Sequence, residues 1–159
     1  MTERLSRSAQ RVAEALAEKG IPQRVVELPA STRTAAEAAQ AIGCQVGQIA
    51  KSLVFQGQRS GRAILVIASG ANRVDEAKLA QALGEKVIKA DAAFVRQHTG
   101  YAIGGVPPVG HTEALETFLD PDLFLYEELW AAAGTPNAVF RLTPQELAAL
   151  TGGRVLAIK

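Results

Sequence analysis

The segment Arg62–Ser69, RAILVIAS, holds six apolar residues in succession. A strand this apolar has no polar side to give to solvent, so it needs cover on both faces. SLVFQ, Ser52–Gln56, precedes it across the glycine-bounded turn GQRSG. The two runs predict a hairpin at the centre of a sheet, with other elements packed above and below.

Those covering elements can be found along the chain. Leu5, Ala9, Val12 and Leu16 share a helical stripe that stops near Gly20, with Arg4, Arg7 and Arg11 on the opposite side. RVVEL, Arg24–Leu28, predicts a strand. Thr34 and Glu37 have capping-box spacing ahead of a helix closed by Gly43. Asp75 can cap a helix through Leu83, and Asp91 a second one reaching about His98, with the strand KVIKA between them. ALETFLD and ELWAAA predict strands on either side of DPDLF, where Pro121 suits a first helical turn. AVFRL is a further strand. Thr143, Pro144 and Glu146 form a second capping box, and RVLAI closes the chain as a strand. Hairpins mixed irregularly with crossovers predict an α+β fold, a mixed sheet covered by helices.

The chain has 159 residues without repeat or linker, so one domain over 1–159 is expected. No apolar run reaches bilayer length, and the opening MTERLSRSAQRV is charged where a signal peptide is apolar. A cytoplasmic protein with no membrane partner is therefore expected. One cysteine, Cys44, and two histidines, His98 and His111, argue against a disulfide, a metal site or any other cofactor-holding centre of that kind. Seventeen basic residues against sixteen acidic ones give a net charge of +1. That balance argues against a broad grip on DNA and leaves room only for local contact with a nucleic acid.

The segment Gly100–His111, GYAIGGVPPVGH, is unusual. It combines backbone freedom at Gly104 and Gly105 with rigidity at Pro107 and Pro108, and it has almost no reactive side chain. Such a loop works through its own main-chain groups or serves as a turn. It fits neither a phosphate loop nor a dinucleotide fingerprint. Lys51 in IAKSLVF either snorkels from the strand end or projects into a pocket. Ser52 lacks the nucleophile elbow of a serine hydrolase. Cys44 reads as a small buried hydrophobe. His111 either binds a ligand or closes a turn, while His98 fits a surface or capping position. Asn72 and Arg73 in SGANRVD suit turn chemistry. Gly134, Thr135 and Pro136 in AAGTPN fit a hairpin turn or a pocket rim. The arginines Arg4, Arg7 and Arg11 fit a solvated helix face or an RNA contact.

Taken in order, TAAEAAQAIG, QIAKSLVF, SGANRVD with KLAQALG, TGYAIGGVPPVGH, AAGTPNAVFRLTPQEL and LTGGRV resemble the YbaK-like family of aminoacyl-tRNA deacylases. That family is related to the editing domain inserted in bacterial prolyl-tRNA synthetases. The resemblance covers nearly everything after Thr32 and implies a strongly twisted, barrel-like mixed sheet surrounded by helices. It implies hydrolysis of the ester on a mischarged aminoacyl-tRNA, tRNA-Pro carrying a small amino acid such as alanine or cysteine, without metal or organic cofactor. The length resembles trans-editing members with no synthetase attached, and prolyl-tRNA synthetase is the second partner implied. On this resemblance the catalytic set is Lys51 with the main chain of Gly104 and Gly105. Substrate binding falls to Ser52, Pro108, His111, Gly134, Thr135, Pro136, Thr34, Asn72 and Arg73. Thr135 stands where the family has serine. The competing expectations are a non-catalytic tRNA- or synthetase-binding module and a hydrolase of a free small ester.

Overall fold

The computed structural model describes residues 5–22 and 24–159, so Arg4 of the predicted arginine face lies outside the described residues. The helices are α1 (Arg7–Glu18), α2 (Ala35–Ile42), α3 (Glu76–Leu83), α4 (Ala92–Thr99) and α5 (Pro144–Thr151). The strands are β1 (Val26–Glu27), β2 (Ile49–Gly57), β3 (Ala63–Ser69), β4 (Val87–Lys89), β5 (Glu116–Leu119), β6 (Leu129–Ala132), β7 (Ala138–Leu142) and β8 (Arg154–Val155). They form one mixed sheet in the order β1-β7-β6-β2-β3-β5-β8, with β4 branching from β2. No helix among the described residues is long and apolar enough to cross a membrane.

Local chemistry sets the helix ends. Thr34, Asp75, Asp91 and Thr143 each accept a backbone N–H from the first turn of α2, α3, α4 and α5. Gly43, Gly84, Gly100 and Gly152 close the same four helices in the left-handed region. The capping box at Thr143 is reciprocal, with Glu146 accepting from the Thr143 N–H. At Thr34 the return contact goes to the threonine hydroxyl instead, which donates to Glu37 Oε1.

The apolar hairpin is β2 and β3, antiparallel from Ala50–Ser69 to Gln56–Ala63. Alternation along β3 sends Leu65 and Ile67 into one core and Ile64, Val66 and Ala68 into another. The first core lies beneath α1, α4 and α5, and the second beneath α3 and the buried Ile158 near the carboxyl end. Each large aliphatic side chain so buried contributes about 1.5–3 kcal/mol, which makes this hairpin the main apolar anchor of the fold. RVVEL and RVLAI form much shorter strands than their sequences predict. Both lie at the ends of the sheet, where a strand has one neighbour only.

One side of β2 is paired throughout by β3, and the other is divided. Ile49 and Ala50 pair in parallel with Trp130 and Ala131 of β6, and Phe55–Gly57 pair antiparallel with β4. Val54 accepts from the Ala90 N–H just beyond β4. Between those two neighbours, Lys51, Ser52 and Leu53 have no strand partner on that edge.

The tip of the hairpin is held from outside. Glu85, in the α3–β4 turn, accepts from the Arg59 and Ser60 N–H groups, the Ser60 hydroxyl and the Arg62 Nε. The Ser60 bonds, with help from Arg59 and the Arg62 charge, hold its carboxyl down at about 2. A depressed folded-state value means the contribution is complete above the ordinary value of 4.5 and is lost as pH falls toward 2. Denaturant unfolding followed from pH 6 to pH 2 should therefore show a shallower acid decline in Glu85→Gln than in the wild type. Parallel declines would show that this carboxylate does not pin the turn.

Candidate active site

A cavity of about 290 Å³ opens at the unpaired stretch of β2. Its walls come from Ile49–Leu53, from Thr32–Ala35 and Ala38 at the start of α2, from Trp130–Ala132 of β6 with Val139 of β7, and from Ile103, Gly104 and Val106. Lys51, Ser52, Thr34 and Gly104 are thus brought together from three separate segments. Trp130, Ile49, Ala38 and Val139 supply an apolar wall, and Arg33 a cation at the rim.

Lys51 is half-buried, and its Nζ donates to the Asn72 carbonyl at 2.7 Å. Burial pushes the ammonium below its ordinary pKa, the Lys89 and Arg73 charges push the same way, and Asp120 opposes them. The Asn72 carboxamide is itself anchored, donating to Asp120 Oδ2 and Asp122 Oδ2 at 2.8 Å each. Asp120, 1% exposed, also accepts from the Ser69 and Asp122 N–H groups. Asn72 therefore acts on the cavity through its main chain, while its side chain is committed to the loop. A buried acceptor with three donors is a rigid support, since each hydrogen bond to a charged group contributes about 1.5–3 kcal/mol.

Ser52 is polar in an apolar setting. Its Oγ is buried and has no hydrogen-bond partner among the described residues. Gly57 donates to Arg62 and Val54 accepts from Ala90. By alternation from those bonds, the Ser52 N–H and C=O point to the open edge of β2. An unmet buried hydroxyl beside an unpaired peptide group is a place where a ligand's polar atoms satisfy the protein.

The glycine–proline loop separates two roles. Gly104, at φ +93°, lines the cavity, and its N–H has no acceptor among the described residues. The stem of Arg33 lies against it, so a Cβ there would fall 2.6 Å from Arg33 Cγ. Gly105 departs from the expectation of a free amide. Its N–H donates to Ala102 O at 3.0 Å, and its carbonyl accepts from the Gly134 N–H at 2.9 Å. A Cβ on Gly105 would sit 2.9 Å from the Thr135 backbone, so here glycine is required for close packing of two main chains.

Gly134, Thr135 and Pro136 are behind the cavity wall and do not line it. Gly134 fits between the Ser8 carbonyl and the ring of Tyr101. The Thr135 hydroxyl donates to Asn137 Oδ1, and the Pro136 carbonyl accepts from both the N–H and the hydroxyl of Thr32. This turn ties the 28–34 segment to the glycine–proline loop. Pro108 and His111 face a different surface cleft, with Lys19 and Glu113. His111 Nε2 is 2.7 Å from the Pro107 carbonyl, and burial pushes its pKa down. Arg73 lies beyond Lys51, outside the cavity. Cys44 packs partly buried beside Ala38, Ala39 and Ile49, and burial raises its thiol pKa. The described residues contain no cluster of three metal-ligating side chains.

Sequence reasoning missed Arg33, Trp130, Asp120 and the Ser52 main chain. Arg33 adjoins the Thr34 cap, and Asp120 precedes the Pro121 turn, so each carried a local signal that pointed only to capping.

Residues 29–150 match the aminoacyl-tRNA editing domain. YwhH of Bacillus subtilis (strain 168), described as uncharacterized, is 35% identical over 131 residues, covering 82% of this chain and 83% of its own. EbsC of Enterococcus faecalis (strain ATCC 700802 / V583), a candidate Cys-tRNA(Pro)/Cys-tRNA(Cys) deacylase, is 30% identical over 126 residues, covering 79% of this chain and 76% of its own. A solved structure of a candidate trans-editing enzyme for prolyl tRNA synthetase is 55% identical, with a TM-score of 0.92 over 98% of this chain and 99% of that one.

Gly105→Ala is expected to lower stability by about 1–3 kcal/mol in equilibrium denaturation, because the added methyl meets backbone that cannot rotate away. Wild-type stability in this variant would mean that the two loops are not in close contact.

Proposed function

The chain belongs to the aminoacyl-tRNA editing domain family, and from that premise we propose that it is a trans-editing deacylase, residues 1–159 forming one editing domain. Its substrate is a mischarged tRNA, tRNA-Pro carrying a small amino acid such as alanine or cysteine. It acts in the cytoplasm, with prolyl-tRNA synthetase as a possible recruiting partner, and it uses no metal or organic cofactor. The observation that carries this reading is the cavity of about 290 Å³ whose lining combines Lys51, Ser52 and Gly104.

Hydrolysis adds water across the ester. Oxygen bonds to the acyl carbon, negative charge collects on the acyl oxygen, the bond to the ribose oxygen breaks, and that oxygen takes up a proton. The ester is already activated, so positioning and electrostatic stabilisation suffice. The Gly104 N–H and the Ser52 N–H are the main-chain groups assigned to the developing oxyanion, and the Lys51 ammonium adds positive potential beside them. Asn72 and Asp120 keep that ammonium in place. Gly105 serves by holding the loop against the 134–136 turn, and Thr34 and the Ser52 hydroxyl bind substrate. The attacking group is water or, in a cysteinyl substrate, its own thiol.

Specificity follows from size. A synthetase pocket separates substrates differing by one methylene by only about 1–3 kcal/mol, so a second sieve is needed. The wall formed by Trp130, Ile49, Ala38 and Val139 is suited to a small acyl group, and Thr135 acts on its shape from behind.

The test is incubation of purified protein with a panel of mischarged tRNA-Pro species, following loss of the labelled amino acid. Cleavage of one or two small acyl groups is expected. Binding without cleavage would indicate a non-catalytic module instead, and equal cleavage of small esters lacking tRNA would indicate a general esterase. Lys51→Ala should lose about 100-fold or more in deacylation rate while keeping its thermal midpoint. Wild-type turnover in that variant would remove the lysine from the mechanism.

A further inference from the structure

Lys51 and Leu53 line a second cleft as well as the cavity. It has a volume of about 430 Å³ and is bounded further by Phe55, Arg73, Val74, Glu76 and Lys89. Three of those seven side chains are cations and one is an acid, in a protein whose charges otherwise nearly cancel. Arg73 and Lys89 are exposed and make no ion pair or side-chain hydrogen bond among the described residues. Arg24, Arg62, Arg141 and Lys159, by contrast, all have carboxylate partners. The effect of the two free cations reaches Lys51, whose own charged form they disfavour.

Three mutually repelling cations around one recess, with a single acid among them, are stabilised by an anion placed between them. Their arrangement also has a direction. Lys51 stands where the two recesses meet, so a ligand with its acyl group in the first directs its next charged group into the second. In an aminoacyl nucleotide that group is the 5′-phosphate of the terminal residue, one ribose away from the ester.

We propose that the cleft bounded by Lys51, Arg73 and Lys89 is a phosphodiester subsite that holds the terminal phosphate of the acylated nucleotide. The proposal rests on the deacylase reading and extends it to residues outside the acyl cavity, with Lys89 and Arg73 as phosphate contacts and Lys51 shared between the two recesses. It also accounts for a near-neutral protein engaging a polyanion, since the required charge is concentrated at one point beside the ester.

The test compares three substrates with alanyl and cysteinyl groups: the 2′(3′)-ester of adenosine, the same ester of 5′-AMP, and the acylated tRNA. In the wild type at low salt, adding the 5′-phosphate is expected to raise kcat/KM by about tenfold, mostly through KM, as one charge-assisted contact would. In R73A/K89A the ratio between the AMP and adenosine esters should fall to near one. The slope of log(kcat/KM) for tRNA against log salt should become shallower by about one for each contact removed. A ratio that stays at the wild-type value, or a wild type indifferent to the phosphate, would overturn the subsite.

If the wild type cleaves none of the esters, the deacylase reading fails separately. The subsite is then decided by titrating 5′-phosphorylated CCA trinucleotide and inorganic phosphate while following backbone amide shifts. Trinucleotide binding that perturbs Arg73 and Lys89 and is lost in R73A/K89A supports it. Equal response to inorganic phosphate alone, or no response, overturns it.

Discussion

The candidate site exists because β2 is longer than either strand available to pair with its outer edge. β6 reaches Ile49 and Ala50, and β4 reaches Phe55–Gly57. The main chain between them turns its hydrogen-bonding groups toward a recess. Backbone groups hidden from water are normally paired, so an unpaired stretch in a central strand is costly unless another molecule meets it. Pairing of β3 with the opposite edge holds β2 straight through the gap. The site is therefore built on the most rigid strand pair in the protein.

Around that gap the walls are joined mainly through main chain. The Gly134 N–H bonds to the Gly105 carbonyl, and the Pro136 carbonyl receives both donors of Thr32. One short turn thus fixes the glycine–proline loop and the segment before α2 at once. Neither Gly105 nor Thr135 lines the cavity, yet both determine its shape. A threonine with its hydroxyl occupied by Asn137 is suited to support, and this explains how a serine-to-threonine difference from related sequences can be accommodated there.

Electrostatics completes the arrangement. Lys51 is kept half-buried by a carbonyl, a neutral acceptor that orients the ammonium without cancelling its charge. The acids that could have neutralised it are used elsewhere, Asp120 on backbone N–H groups and Asn72, and Asp122 on Asn72 and Lys159. The result is positive potential directed into two adjoining recesses of a molecule with a net charge of +1.

The sequence by itself determined whatever depends on neighbours a few residues apart. The caps at Thr34, Asp75, Asp91 and Thr143, the glycine stops, and the buried hairpin all follow from local hydrogen bonding and periodicity. Lys51 and Gly104 were also legible, because a lysine at the mouth of an apolar strand and a glycine–proline loop are each unusual in place. Only the tertiary structure decided that the Gly105 amide is used within its own loop, that His111 and Pro108 face another cleft, and that Arg33, Trp130 and the Ser52 main chain complete the wall. Those outcomes depend on the register of strands such as Ile49 against Trp130, far apart in the chain, and on where pairing stops. An unpaired edge is produced by the lengths and positions of several strands together, so no single segment of the sequence can carry its signal.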